Sequence, residues 1–188
     1  MLRFIEEFGR HVEITGFKDV VLRNFKSFLL EIREQRPLDV DVQFFDSDRV
    51  ATWEHLYFAV VNALTVFRNR ENISKSLSME TLLYAAAEKQ IVKATELVGI
   101  KSTSRRIAAV VIAKQPERIR STLLVISERL DRQPEESVLE LSEDKMLLIQ
   151  KIFNIKSMEL ETVKENNEVR KALVDLVIER MALSTTRR

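Results

Sequence analysis

Few side chains in this chain could carry out chemistry. It has two histidines, three glycines and no cysteine. Without cysteine there is no thiolate zinc site, no disulfide and no cysteine nucleophile. A glycine-rich phosphate loop or a histidine metal cluster needs more of either residue in one place. His11 and His55 lie far apart, and His55 falls on a helical stretch beside Trp53 and Tyr57. With no partner cluster it reads as a satisfied structural histidine. Glu6/Glu7, Glu135/Glu136 and Glu143/Asp144 are adjacent pairs. Adjacent residues on a helix diverge by about 100°, so these are poor acid–base dyads. No Ser/His/Asp arrangement is legible. The expectation is a protein that is not an enzyme and needs no metal or cofactor.

Binding is the chemistry that remains. Residues 67–133 hold 13 Lys/Arg against 7 Asp/Glu, although the whole chain is only +1. The flanking stretches 1–66 and 134–168 are acidic, at −3 and −5, and 169–188 is +3. A basic middle between acidic flanks fits either a polyanion-binding patch or an unevenly charged solvated surface.

The elements that must position these groups follow from periodicity. A length of 188 residues favours one domain, here 1–188 with a polar tail at 184–188. Apolar residues at 45% and charged residues at 31% fit a folded chain and exclude a wholly disordered one. Purely apolar runs such as Ile107 to Ala113 are far short of the ~18 residues that span a bilayer. The first residues, Met-Leu-Arg-Phe-Ile-Glu-Glu, lack the apolar core of a signal peptide, so a cytoplasmic location is expected. Strands are predicted over 2–6 and 10–15, with Gly9 turning between them, and over 38–45 and 106–113. Helices are predicted over 19–33, 51–68, 116–130, 142–153 and 162–183. Residues 79–98 form one broken helix or two short ones, with Ser78 as N-cap and Gly99 as a glycine C-cap. The class is mixed α+β: a small sheet packed with a larger set of helices in one domain.

The last helix is too apolar for one buried face. Val169, Ala172, Leu173, Leu176 and Leu183 make one stripe, and Val174, Val177, Ile178 and Met181 make a second. A surface helix needs an apolar stripe of only about 100°. Either the second stripe meets a partner, or the helix is buried from both sides.

The most distinctive stretch runs Asn72-Ile-Ser-Lys-Ser-Leu-Ser-Met-Glu-Thr-Leu-Leu-Tyr-Ala-Ala-Ala-Glu-Lys-Gln-Ile-Val-Lys-Ala-Thr-Glu-Leu-Val-Gly-Ile-Lys101. It resembles the signature of the TPRKB family, the small kinase-binding subunit of the KEOPS tRNA-modification complex, in an archaeal-like form. Leu77, Glu80, Leu82, Ala85, Gln90, Ile91, Ala94 and Gly99 match that signature. Residues 50–59 and 137–153 are similar to flanking pieces of the family, and order and spacing agree over about 46–183. Ala86 and Ala87 stand where the family often has Ser-Gly. Alanine tends to continue a helix where glycine breaks it, so a gentler break is expected. Lys89 stands where Arg is common, which keeps the charge but loses the planar fork.

The resemblance implies a non-catalytic accessory subunit in threonylcarbamoyladenosine modification of tRNA. It implies docking on a small atypical serine/threonine kinase/ATPase, which in turn holds the threonylcarbamoyl synthase subunit. It also implies tRNA recruitment through the 3′ CCA end. The alternative is an interaction module that regulates the kinase/ATPase without contacting RNA. The candidate tRNA-binding residues are Arg68, Arg70, Lys75, Tyr84, Lys89, Gln90 and Lys93. The cations bracket helix starts, where free N–H groups favour anions. Tyr84 either stacks on an unpaired base or belongs to the core. The candidate kinase-binding residues are Val174, Val177, Ile178 and Met181.

Overall fold

The computed structural model describes residues 1–163 and 168–186, with side chains described through Ser184. Four strands form one antiparallel sheet: β1 (Leu2–Ile5), β2 (Arg10–Phe17), β3 (Asp41–Asp46) and β4 (Ile107–Ala113), in the order β1-β2-β4-β3. The helices are α1 (Phe25–Gln35), α2 (Trp53–Asn69), α3 (Leu77–Ala85), α4 (Ile91–Val98), α5 (Pro116–Leu130), α6 (Glu143–Ile152), α7 (Ser157–Val163) and α8 (Val169–Thr186). The mixed α+β class expected from the sequence is the one observed.

The continuous apolar run of β4 is explained by its place. Every residue of this strand is buried. Because strand side chains alternate, Ile107, Ala109, Val111 and Ala113 join the layer of α1 and α5. Ala108, Val110 and Ile112 join the layer of α2, α3 and α4. A third apolar cluster, under α6, α7 and α8, is built on Leu141, Ile149, Phe153, Leu160, Leu173 and Leu176.

Several boundaries differ from the expectation. Strand β3 begins at Asp41 rather than 38 because Val40 N–H closes a turn onto the Pro37 carbonyl at 3.1 Å, leaving Leu38 fully exposed. Helix α1 starts at Phe25 rather than 19, because Asn24 caps it by accepting from Ser27 N–H at 3.1 Å. Asp19 is left-handed at φ 54°, and Val20 is buried outside any helix, its N–H on the Arg105 carbonyl at 2.9 Å. The cap of α3 is Ser76, two residues before Ser78. The predicted helix 162–183 is two helices, α7 and α8, with residues 164–167 of that prediction outside the described residues. Helix α8 continues to Thr186, so most of the expected polar tail is helical, and 187–188 also lie outside the described residues.

Gly99 does cap α4, but in extended backbone and not in the left-handed form. The reason for glycine is proximity: a Cβ there would sit 2.6 Å from the Thr95 carbonyl oxygen.

The break between α3 and α4 is sharp despite its alanines. Ala87 adopts φ 51°, with its N–H on the Tyr84 carbonyl at 2.8 Å and Glu88 N–H on the Leu83 carbonyl at 3.0 Å. That is the paired-bond helix stop in which glycine is the usual left-handed residue. Alanine in that conformation costs ~1–2 kcal/mol. Ala87→Gly removes the Cβ strain and loses one partly buried methyl. It should raise stability by about 0.5–1 kcal/mol, read as a melting temperature a few degrees higher. A lower melting temperature shows that the methyl's packing outweighs the strain.

Candidate docking groove and basic cleft

His55 organises the region from which both candidate surfaces are built. It is fully buried, and both ring nitrogens are bonded. Nδ1 accepts from Ala51 N–H at 3.1 Å, so Nε2 carries the proton and donates to the Ala85 carbonyl at 2.8 Å. The ring packs edge-on against Phe153 at 5.4 Å. His55 therefore ties the start of α2 to the end of α3, as a structural histidine does. Burial pushes its pKa down to about 4; the Ala85 bond opposes this, and the charge of Lys145 adds to it.

Lys145 is itself buried at 3% exposure. Its Nζ donates to the Glu140 carbonyl at 3.1 Å. Burial lowers its pKa to about 8 against the pull of Asp48 and Asp46. Asp46 accepts from Ser104 Oγ at 2.7 Å, and Asp48 pairs with Arg106 at 2.6 Å. The Asp46 and Asp48 carboxylates are near enough to act on the Lys145 charge of α6. Among the described residues no group of three or more His, Asp or Glu could hold a metal ion.

The α8 stripe expected to meet a partner divides into two pairs. Val177 and Met181 are fully buried, which corrects their assignment to a docking face. Helix α8 runs between two apolar clusters: Met181 packs with the α2–α3 cluster and Val177 with the α6–α7 cluster. Val174 and Ile178 are only half-buried. With Trp53, Phe58 and Leu139 they line a groove of about 740 Å³ between α2 and α8, whose wall also carries Glu54, Glu136, Glu140, Arg170, Lys171 and Asp175. Phe58 is 40% exposed, and the Arg3 guanidinium lies 5.1 Å from the Trp53 ring centroid. Trp53 and Phe58 were not read as candidates from the sequence, although both fall on the helix whose His-Leu segment carried part of the resemblance.

The candidate RNA residues do not form one patch. Tyr84 is fully buried in the core, so its assignment as a stacking platform is corrected. It lies on α3, every residue of which from Glu80 to Ala85 is buried. Arg68 pairs with Glu7 at 2.6 Å and lies over Phe8, and Arg70 is the left-handed cap of α2. Arg68, Arg70 and Lys75 are exposed and gather where α2 ends and α3 begins. Lys89, Gln90 and Lys93 are exposed where α3 ends and α4 begins, near His55. Arg70 stands fifteen positions after His55, about 22 Å along α2, so Arg68 and Arg70 are far from Lys89. Lys89 and Gln90 line a cleft of about 600 Å³ together with Asn154, Arg180 and Ser184. Leu97, Ile152, Phe153 and Leu183 supply its apolar lining. Arg180 donates to Glu159 at 2.8 Å, and Glu159 also accepts from Lys156 N–H at 2.9 Å. These bonds hold the Glu159 carboxyl below its usual range, with the backbone bond the largest cause. Arg180 was missed because α8 was read for its apolar stripes. The signal was its position, next to Glu179 on the polar side of that helix.

The family described as kinase binding protein CGI-121 matches residues 17–185. The chain belongs to that family. The match reaches back past residue 46, where the motifs alone began to agree. The regulatory protein Cgi121 of Methanocaldococcus jannaschii is 33% identical over 119 residues, which cover 63% of this chain and 74% of that protein. Both candidate surfaces draw on elements within the matched span. Among the described residues no helix is long and apolar enough to cross a membrane.

The His55 network makes a pH prediction. The unfolded histidine takes a proton near pH 6.5, and the folded one refuses it down to about 4. Its contribution is complete above pH 6.5 and is lost as pH falls through that window. The loss is at most about 1.4 kcal/mol per pH unit. Urea unfolding between pH 6.5 and 5 should show this slope in the wild type, and His55→Phe should be less stable with a flatter slope. Equal slopes in the two proteins show that another group titrates.

Proposed function

We propose that this protein is a non-catalytic accessory subunit of a KEOPS-type tRNA-modifying complex. It docks on the small kinase/ATPase subunit, reaches the synthase subunit indirectly through it, and recruits tRNA by its 3′ CCA end. Its expected location is the cytoplasm. The observation that carries the docking half is the groove where Val174 and Ile178 of α8 meet Trp53 and Phe58 of α2. The groove leaves Trp53, Phe58, Val174 and Ile178 partly exposed among charged neighbours, which supports docking of the kinase on a member of a kinase-binding family. An anchor residue at the centre of such an interface contributes much of its binding energy.

The cleft near His55 supports the RNA half. Lys89 and Arg180 give it two cations, Gln90 and Asn154 give amides, and its apolar lining accepts an unstacked base. Lys93, exposed at the start of α4, extends the positive surface, and Lys75 lies apart from it at the other end of α3. No carboxylate but Glu88 lines the cleft.

Two variants of adjacent residues separate docking from folding. Ile178→Arg should abolish co-purification with the kinase while the circular dichroism spectrum and melting temperature stay close to wild type. Burying an unpaired charge in the interface costs ~2–5 kcal/mol. Val177→Arg should instead destabilise the fold, because Val177 is core. If Ile178→Arg still binds the kinase, the groove is not the docking face.

For RNA, Lys89→Glu and Arg180→Ala should each weaken tRNA binding. Each should flatten the log–log salt dependence by roughly 0.7 per lost phosphate contact. Removing CCA should cost more affinity than altering the anticodon loop. Equal binding of intact and CCA-less tRNA would sink end recognition and leave the alternative of a regulator that does not touch RNA.

A further inference from the structure

A third, partly open space lies beside β3, away from the groove and the cleft. It has a volume of about 490 Å³ and is walled by α1, β3, α3 and the end of α4. Phe25, Leu29, Phe44, Met79 and Leu82 give it apolar surface. Arg33, Arg36, Gln43, Ser76, Ser78 and Thr95 give it polar groups, and no carboxylate lines it. None of these residues lines the docking groove or the cleft that holds Lys89.

The two arginines have different duties. The Arg36 guanidinium donates to the Val40 carbonyl and helps hold the turn before β3. Asp41 lies close enough to Arg36 that the cation draws its carboxyl down, against a larger upward push from burial. Arg36 is therefore committed to structure. Arg33 is exposed, one helical turn earlier on the same face, and makes no ion pair among the described residues. Gln43 donates from Nε2 to the Phe44 carbonyl at 2.9 Å, which fixes the side chain at the wall. Thr95 Oγ1 is turned back onto the Ile91 carbonyl at 2.8 Å.

This combination selects among ligands. A fatty acid needs dry walls, and these carry an amide and hydroxyls. A free inorganic anion needs no aromatic lining. A space of this volume holds a small molecule and not a folded partner. A flat body with hydrogen-bonding edges suits a lining of aromatic, aliphatic and amide groups, and an exposed guanidinium fork suits a phosphate. We propose that the space bounded by α1, β3 and α3 binds one nucleotide-sized organic phosphate, its ring against the apolar wall and its phosphate on Arg33. Such a group comes either as a free nucleoside monophosphate or as one unpaired nucleotide of an RNA. The chemistry is shared, and the site does not depend on Lys89 or Ile178.

The test is a titration of the full-length protein followed by methyl NMR of Met79 and Leu82. The probes are adenosine 5′-monophosphate, adenosine, inorganic phosphate and a single-stranded RNA trinucleotide. The monophosphate should shift both methyls, and adenosine and phosphate should bind at least about tenfold more weakly. Arg33→Glu, on an exposed position, should weaken the monophosphate about tenfold or more and leave adenosine within about twofold. Lys89→Glu should change neither. Tighter binding of the trinucleotide at the same methyls identifies the source as RNA, and equal binding identifies a free nucleotide. Absence of any monophosphate-dependent shift at about 5 mM overturns the proposal. So does wild-type affinity in Arg33→Glu, or shifts confined to the Lys89 cleft.

Discussion

Two-sided burial of β4 is the constraint on which the rest of the molecule depends. Its seven residues are all apolar and all buried, so both faces of the sheet must be covered by helices. Neither layer can be removed without exposing half of that strand. Strands β2 and β3 flank it antiparallel, which leaves β1 and β3 as the edges. The edge at β3 is partly closed by a single bridge between Phe45 and Gly99. Gly99 can make that bridge because no Cβ stands against Thr95. The sheet thus fixes where α4 ends, and with it one wall of the space beside Arg33.

The second layer is then set by one buried side chain. His55 accepts at one end of its ring and donates at the other, so it holds two backbone segments that would otherwise leave buried groups unpaired. One segment leads into Trp53 and the candidate docking groove. The other is the end of α3, from which the chain turns at Ala87 and carries Lys89 and Gln90 outward to the cleft. The histidine whose pKa burial lowers also positions both candidate surfaces. A neutral imidazole suits it, since a second ring proton would face the Ala51 N–H.

Much of the fold was legible because periodicity and caps report local physics. The β4 run, the Pro116 start of α5 and the Ser142 cap of α6 are each decided within a few residues. Misplaced boundaries arose where two local choices compete. Ser76 and Ser78 can both cap, and Val20 fits a helical stripe as well as a buried loop position. Ala87 misled for the opposite reason. Propensity favours continuing the helix, but the burial of Leu82 to Ala86 and the bond from His55 to Ala85 override a cost of ~1–2 kcal/mol. The sites were less legible than the elements. Segment charge placed Arg68 and Lys89 together, and helix geometry puts them some 20 Å apart. Much of the basic excess lies elsewhere again: Arg129 pairs with Glu31 across α1 and α5, on the other face of the sheet.

Helix α8 shows why composition alone could not resolve its role. Its excess apolar width exists chiefly because α6 and α7 add a third layer, which consumes Val177, while the α2–α3 cluster takes Met181. What remains outside is small and divided between two directions. Ile178 and Arg180 are two residues apart, so their side chains point about 200° apart around the helix axis. One borders the groove with α2, and the other borders the cleft with Lys89. Two ligands that met these residues would approach opposite sides of one rigid helix. They would not compete for the same surface, and a charge placed at Ile178 would leave the cleft unaltered. The apolar core on either side of α8 is therefore what keeps the two candidate surfaces independent and holds their spacing constant.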